Sequence, residues 1–438
     1  DRDVQMSEKA TLMNKNTPIL EIEIENSSIM NFYNVLSHDM LPIQLQDNIK
    51  SQSINQWFQS RLLPDKREGM KEARMQFRFF DKEKYFFSLS DQYWVRYKDS
   101  DTWEKYNFFT NKYSNEVGKI FFEPWNVKKD ELKYPSPDRT TNGVLRKRWI
   151  QDETMQSYLI KQGSKKYHQE PLSEVMASMM LKQMGMLPFV EYSLVVDGLS
   201  FCSKCRNFVT EDTEFVPAIA IYNKRTKEDS ISKYEHFLSM CDLYHIKEAE
   251  TFMEKMILVD YVICNTDRHF GNFGFLRSAI TGEILGFAPL FDFGSAYWGT
   301  TNDVERKSSR HFAEEEALLV AKAAGDGRLQ VAKSGRAMMD LLKAYPIITN
   351  KKKNAIQNLI NEVDQDIAKF ATAQSKKDDR DDEGNAFEDL DEMFNEHKKP
   401  DERKSTSQET RSTATEAAFA GKGDMPKLQM DMDNLMIN

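Results

Sequence analysis

Apolar and polar positions along the chain change period several times, and each change marks an element. Ile19-Leu20-Glu21-Ile22-Glu23-Ile24 alternates with period two, which predicts a half-buried strand. Ile54–Leu63 reads as a short helix stopped by Pro64. Phe86-Phe87-Ser88-Leu89-Ser90 leads into Asp91-Gln92-Tyr93-Trp94-Val95 within an aromatic-rich first region, residues 1–125, read as an α/β domain for recognition or regulation. Trp94, Trp103, Phe108 and Phe109 form either a small core or a recognition surface, and the general place of aromatics in cores favours the first. Trp125–Asp138 is a connector. Tyr158-Leu159-Ile160-Lys161 is an apolar strand ending in lysine. Thirteen residues after that lysine comes Glu174, on a helical run over Ser173–Leu181 that starts near Pro171 or Ser173. Val190–Val196 and Leu199–Val209 flank a turn at Asp197-Gly198 and predict a hairpin.

Helices are expected over Tyr234–Tyr244 and Ala249–Cys264. A second hairpin joins Phe273-Gly274-Phe275-Leu276 to Ile284-Leu285-Gly286-Phe287 around Thr281-Gly282. With a two-residue loop, Ile280 faces Glu283 and Asn272 falls opposite Phe291. Ile356, Leu359, Ile360, Val363, Ile367 and Phe370 mark an amphipathic helix. From about Ser375 the chain is charged and polar, and a disordered acidic tail over 375–438 is expected. The remaining boundaries fall at 126–210 and 211–374.

Composition narrows the class. A chain of 438 residues with 40% hydrophobic content can bury a large core, and its net charge of −9 argues against direct nucleic-acid binding. The longest apolar candidate for a span, Met256–Cys264, is short and interrupted by Asp260, so no membrane span is expected. Four cysteines suit a reducing cytoplasm, and Cys202-x-x-Cys205 lacks the second pair that a zinc site needs.

The chemistry gathers around the second hairpin. Asp267-Arg268-His269-Phe270-Gly271-Asn272 precedes it, and Asp292-Phe293-Gly294 comes after it. Phosphoryl transfer needs a base to orient a hydroxyl and oxygen ligands to hold Mg²⁺ against phosphates. Asp267 is the candidate base, and Asn272 and Asp292 the candidate metal ligands. Arg268 and His269 are placed to touch the γ-phosphate or to brace Asp267. Lys161 is the candidate contact to the α/β-phosphates, with Glu174 holding its ammonium; Lys165 and Lys166 compete for that role. Thr140-Thr141-Asn142-Gly143 offers backbone N–H groups and hydroxyls to phosphate, or is a simple turn.

Asn265-Thr266-Asp267-Arg268-His269-Phe270-Gly271-Asn272 with Ala288-Pro289-Leu290-Phe291-Asp292 resembles the HipA-like kinase family over residues 138–372. The resemblance implies an α+β, two-lobed protein-kinase-like fold, with a small lobe over 126–210, a large lobe over 211–374 and ATP and Mg²⁺ as cofactors. It matches Asp267 to the catalytic base, Asn272 and Asp292 to the metal ligands and Lys161 to the ATP-binding lysine. It places the adenine-contacting linker at Cys202–Asn207, with Cys205 and Asn207 as candidates. It implies a Ser/Thr protein substrate, a toxin, defence or signalling role and a regulatory or antitoxin partner. The family's autophosphorylated phosphate-loop serine has only Thr140 and Thr141 near its place. Competing functions are a phosphoinositide or small-molecule kinase, served by Arg146-Lys147-Arg148 and Lys351-Lys352-Lys353 as basic surfaces, and a pseudokinase or adaptor.

Overall fold

Strict alternation in the first segment builds a sheet with one wet face and one dry face. A computed structural model describes residues 7–77, 83–301, 312, 315 and 350–358. The first sheet has the order β3-β2-β1-β4, all antiparallel, from β1 (Glu8–Asn14), β2 (Thr17–Glu25), β3 (Ser28–Val35) and the later β4 (Tyr93–Arg96). Leu20, Ile22 and Ile24 of β2 face a core completed by Ile54 and Phe58 of helix α1 (Ser51–Ser60). The expected strand and helix are both present. β1 and β3 were not expected, because β1 buries only its last residues and β3 is an edge strand with mostly exposed side chains.

Between α1 and β4 lies α2 (Met70–Gln76), and after β4 come α3 (Trp103–Tyr106) and α4 (Glu116–Phe122). Trp94, Trp103 and Phe108 are buried, so they are core and not a recognition surface. They cluster with Phe87, Trp149 and Leu159.

The second sheet has the order β5-β6-β8-β7, from β5 (Lys147–Gln151), β6 (Ser157–Gln162), β7 (Tyr192–Asp197) and β8 (Ser200–Arg206). Trp149 lies on β5 and Leu159 on β6, so the first region shares a core with this sheet. Helix α5 (Glu170–Met184) packs on the sheet, with Pro171 in the first turn and Gly185, in the left-handed region, ending it. Lys161 on β6 pairs directly with Lys147 on β5.

The third sheet, β11-β10-β9, sits with three helices: β9 (Thr213–Pro217), α6 (Ala218–Tyr222), α7 (Lys233–Leu243), α8 (Ala249–Val262), β10 (Gly274–Ser278) and β11 (Ile284–Phe287). A capping box between Ser232 and Glu235 starts α7. Gly274 permits close strand approach, since a Cβ there would collide with Val216 O. The β10–β11 hairpin forms, but its register differs from the two-residue-loop expectation. Phe275 faces Phe287, Leu276 faces Gly286, and a bulge then pairs Arg277 with Ile284. Residues 279–282 make the turn: Ser278 N donates to Glu283 O (2.8 Å), and Ser278 Oγ accepts from Ile280 N and Thr281 N. A serine side chain that satisfies the turn's N–H groups favours this wider loop.

A helical stretch is described at residues 350–358, with Ile356 fully buried. Leu359, Ile360, Val363, Ile367, Phe370 and the tail from Ser375 lie outside the described residues. All described residues belong to one compact unit, Asp1–Arg380. Among them no helix is long and apolar enough to cross a membrane.

Candidate phosphate and metal site

Apolar α8 delivers the chain into the Asp267 loop, and one acid within that helix fixes the loop's shape. Asp260 is buried and accepts from Arg268 Nε (2.8 Å), Arg268 Nη2 (3.0 Å) and Asn265 Nδ2 (2.8 Å). Arg268 Nη1 donates 2.8 Å bonds to both Asn272 O and Phe291 O. The guanidinium thus ties the helix to the two chain ends that carry Asn272 and Asp292. With 0% exposure it has no face toward the cleft. Of the two roles expected for Arg268, contact with the γ-phosphate or bracing, its buried position and its bonds place it for bracing. In the sequence Asp260 read only as an interruption of an apolar run; a lone acid inside an apolar helix was the available signal.

His269 and Asn272 are held by the loop's own backbone. His269 Nδ1 accepts from Gly271 N (3.0 Å), which assigns the ring proton to Nε2, and His269 O accepts from Asn272 N (2.8 Å). Asn272 Nδ2 donates to Asp267 O (3.3 Å), so its amide oxygen points away from that bond. Asp267 is half-buried on the same loop.

Lys161 joins the second sheet to the Asp292 segment. Its ammonium pairs with Glu174 Oε1 of α5 and lies 2.8 Å from Asp292 Oδ1. Ser203 Oγ donates to the second Glu174 oxygen, and Asp292 N donates to Tyr192 Oη (3.2 Å). Burial disfavours the Lys161 cation, but Asp292 and Glu174 more than offset it and hold its pKa well above the ordinary value. Burial would raise the Asp292 carboxyl; Lys161, Lys147 and Arg268 override that and hold it below the usual carboxylate range. Asp292 adopts a left-handed φ of 63°, a strained backbone for a non-glycine residue and common at functional sites. Asp292 and the Asn272 amide oxygen are oxygen donors of the kind Mg²⁺ takes, with phosphates and water completing its shell.

The phosphate-loop candidates sit beside Lys147, which the sequence shows only as part of a basic run. Gly143 has φ +107°, and a Cβ there would collide with Lys147 Nζ. The Lys147 ammonium is pushed down to about 7, first by burial and then by Lys161 and Arg67. Among the described residues it forms no ion pair. Asn142 is exposed; its Nδ2 donates to Ser60 O (3.0 Å) and its Oδ1 accepts from Gly143 N (2.6 Å). Thr140 and Thr141 are buried, their hydroxyls bonded to Phe87 O and Pro137 O, so neither presents a hydroxyl for modification.

The linker candidates have other partners. Cys205 is buried in the ladder between Leu159 and Tyr192. Asn207 N donates to Ser157 O (2.9 Å), Nδ2 to Leu89 O (3.0 Å), and Oδ1 accepts from Val209 N (3.2 Å). Asn207, but not Cys205, lines a cavity of about 650 Å³ with Met155, Phe189, Phe208 and Pro289. Cys202 and Cys205 stand three apart on one strand and so project to opposite faces; both are buried free thiols pushed up to about 12 by burial.

Within the basic runs, Arg148 and Lys352 are engaged by the protein, while Lys351 is exposed. Arg148 forms a bidentate pair with Asp197, both contacts 2.6 Å. Lys352 is buried, its ammonium on Gln169 Oε1 (2.8 Å) and Trp298 O (2.9 Å).

A family model described as HipA-like C-terminal domain matches residues 139–370. The serine/threonine-protein kinase CtkA of Helicobacter pylori strain J99 is 29% identical over 106 residues, 23% of this chain and 32% of CtkA. The match thus spans about a third of that relative's length. Among solved structures, the Helicobacter pylori proinflammatory kinase CtkA has 19% identity and a TM-score of 0.44, covering 56% of this chain and 96% of that one. HipA of Shewanella oneidensis MR-1, from a toxin–antitoxin system and in complex with HipB and operator DNA, has 13% identity and a TM-score of 0.45, covering 82% and 96%.

Proposed function

Because the chain belongs to the HipA-like C-terminal domain family, we propose that it is an ATP- and Mg²⁺-dependent kinase acting on Ser or Thr hydroxyls of protein. The observation that carries this is the Lys161 ammonium held between Glu174 and Asp292. That arrangement fits a phosphate-contacting lysine next to a metal-binding aspartate. Bound Mg·ATP supplies the transferable phosphoryl group. Lys161 and Lys147 balance phosphate charge, Asn272 and Asp292 offer oxygens to the metal, and Asp267 orients the acceptor hydroxyl. Arg268 keeps Asn272 and Asp292 in register by holding both neighbouring carbonyls.

A lipid acceptor fits less well, because Arg148 and Lys352, the end and the middle of the basic runs that would meet anionic headgroups, are held by Asp197 and by Gln169. A pseudokinase role leaves the ordered Asp267, Asn272 and Asp292 set without a purpose. In a cell, the reading extends to a toxin, defence or signalling kinase with a regulatory or antitoxin partner. Exclusion of nucleic acid is not part of it, since net charge averages over the whole chain and says nothing of one face.

The test is transfer of radiolabelled phosphate from Mg·ATP to protein, comparing the wild type with Asp267→Asn and Asp292→Asn. Label on protein Ser or Thr that disappears in both variants supports the reading. ATP binding with no label on any protein acceptor sinks it. Growth arrest on expression that persists in Asp267→Asn would separate any toxic effect from phosphoryl transfer.

A further inference from the structure

The end of α1 and the segment after it lie along the phosphate loop and bond to it repeatedly. Asn142 Nδ2 donates to Ser60 O, Leu63 N to Arg139 O (2.9 Å), and Glu68 N to Val144 O (2.9 Å). At the centre is Arg67, 2% exposed, whose Nε donates to Gly143 O (3.2 Å) and whose Nη2 donates to Thr141 O. Its third nitrogen, Nη1, is buried with no hydrogen-bond partner. Among the described residues it forms no ion pair, and its cation stacks over Phe121 at 5.8 Å.

A buried guanidinium without a paired carboxylate is a poor way to stabilise a fold. Burial depresses Arg67 to about 10, against the pull of Asp138, and it still carries its charge at neutral pH. That charge sits next to Lys147, which pairs with Lys161 across β5 and β6. Arg67 and Lys147 thus bring two cations without an ion-pair partner, among the described residues, to a loop whose glycine lies against Lys147 Nζ, while the neighbouring Lys161 is already paired with Glu174 and Asp292.

We propose that Arg67, supplied by the N-terminal region, is a positioning residue for the nucleotide phosphates, holding Thr141–Gly143 in shape through the Nε and Nη2 side of its guanidinium. The inference rests on the phosphotransfer function proposed above. It makes the N-terminal region part of the nucleotide site, not a separable attachment. Arg67 acts through the loop backbone and does not touch the reacting atoms.

The experiment uses the full chain, with Mg·ADP as the probe for binding and Mg·ATP for turnover. Arg67→Met is expected to raise Kd for Mg·ADP and KM for ATP about tenfold or more, with kcat within about threefold, the signature of lost binding common to ground and transition states. Removing one repelling charge also moves the pH midpoint of Mg·ADP binding to higher pH through Lys147, while the rise in KM with kcat retained is the readout that a merely structural role would not give. Arg67→Lys keeps the charge but cannot hold two carbonyls in one plane, and is expected to bind with intermediate affinity. It is also the variant to read if Arg67→Met does not fold. Wild-type affinity in a folded variant overturns the proposal, as does a loss confined to kcat. Failure of the wild type itself to bind Mg·ADP removes the phosphotransfer function, and this inference with it, before any variant is compared.

Discussion

Lys161 Nζ lies 2.8 Å from Asp292 Oδ1, so a strand of the second sheet and the segment after β11 share one ion pair. The same ammonium pairs with Glu174, which leaves one cation between two carboxylates. Lys161→Met removes the cation and leaves Glu174 buried without its counter-charge. We expect kcat/KM for ATP to fall at least ~100-fold, through lost phosphate contact. Burial already raises Glu174, and losing Lys161 raises it further. A carboxyl whose folded pKa exceeds its unfolded value gives its full stability below the unfolded value and loses it as pH rises through the folded one. The variant should therefore lose more stability at pH 8 than at pH 5, read by urea midpoints. An equal loss at both pH values would contradict this.

Lys147 carries a second pH signature. Its depressed value of about 7 means that much of the population is neutral above neutral pH. Phosphate oxygens favour the charged form and raise it. Binding of Mg·ADP at pH 8 should therefore take up a proton, measured by calorimetry in two buffers of different ionisation enthalpy. Uptake should vanish near pH 5.5, where the ammonium is already charged, and in Lys147→Met at either pH. Uptake that survives in the variant would assign it to another group.

Arg268 and Asp260 form a buried, two-contact pair at the root of the Asp267 loop. Arg268→Met leaves Asp260 uncompensated, and a loss of about 3–5 kcal/mol is expected in chemical denaturation. Asp260→Asn with Arg268→Met should recover part of that loss, because the stranded charge is gone. A stable Arg268→Met protein that had merely lost nucleotide affinity would return Arg268 to a phosphate contact.

Trp94, fully buried, stacks on Phe87 at 5.0 Å and shares a cluster with Trp149 of β5. Trp94→Ala should cost about 3–5 kcal/mol as a large-to-small core change. Because the cluster crosses from the first region to the second sheet, unfolding should remain one transition when followed by fluorescence and by circular dichroism. Two separated transitions would show that the regions fold independently.

The element pattern was legible where the period was strong. β2 follows from its Ile/Glu alternation, and α7 and α8 from their helical runs, each within a residue or two of its observed limits. The weak strands β1 and β3 were not legible although each joins β2 through a tight turn, because their own side chains carry little alternation, and β9 was not legible because its partner β10 lies far along the chain. The hairpin before Asp292 could be foreseen but not its register, since Ser278 Oγ chose the turn.

By itself the sequence determined the ordered set Asp267, Asn272 and Asp292, a lysine strand followed by a glutamate helix, and the resemblance these carry. Spacing along the chain encodes such features because each is local to one loop, strand or helix. Only the tertiary structure decided that Arg268 turns inward to Asp260, that Lys147 faces Lys161, and that Arg67 reaches the Thr140–Gly143 segment from seventy-four residues before Thr141. Those outcomes depend on which distant groups share a buried space. There the cost of desolvating a charge is settled by whichever partner packing brings within reach.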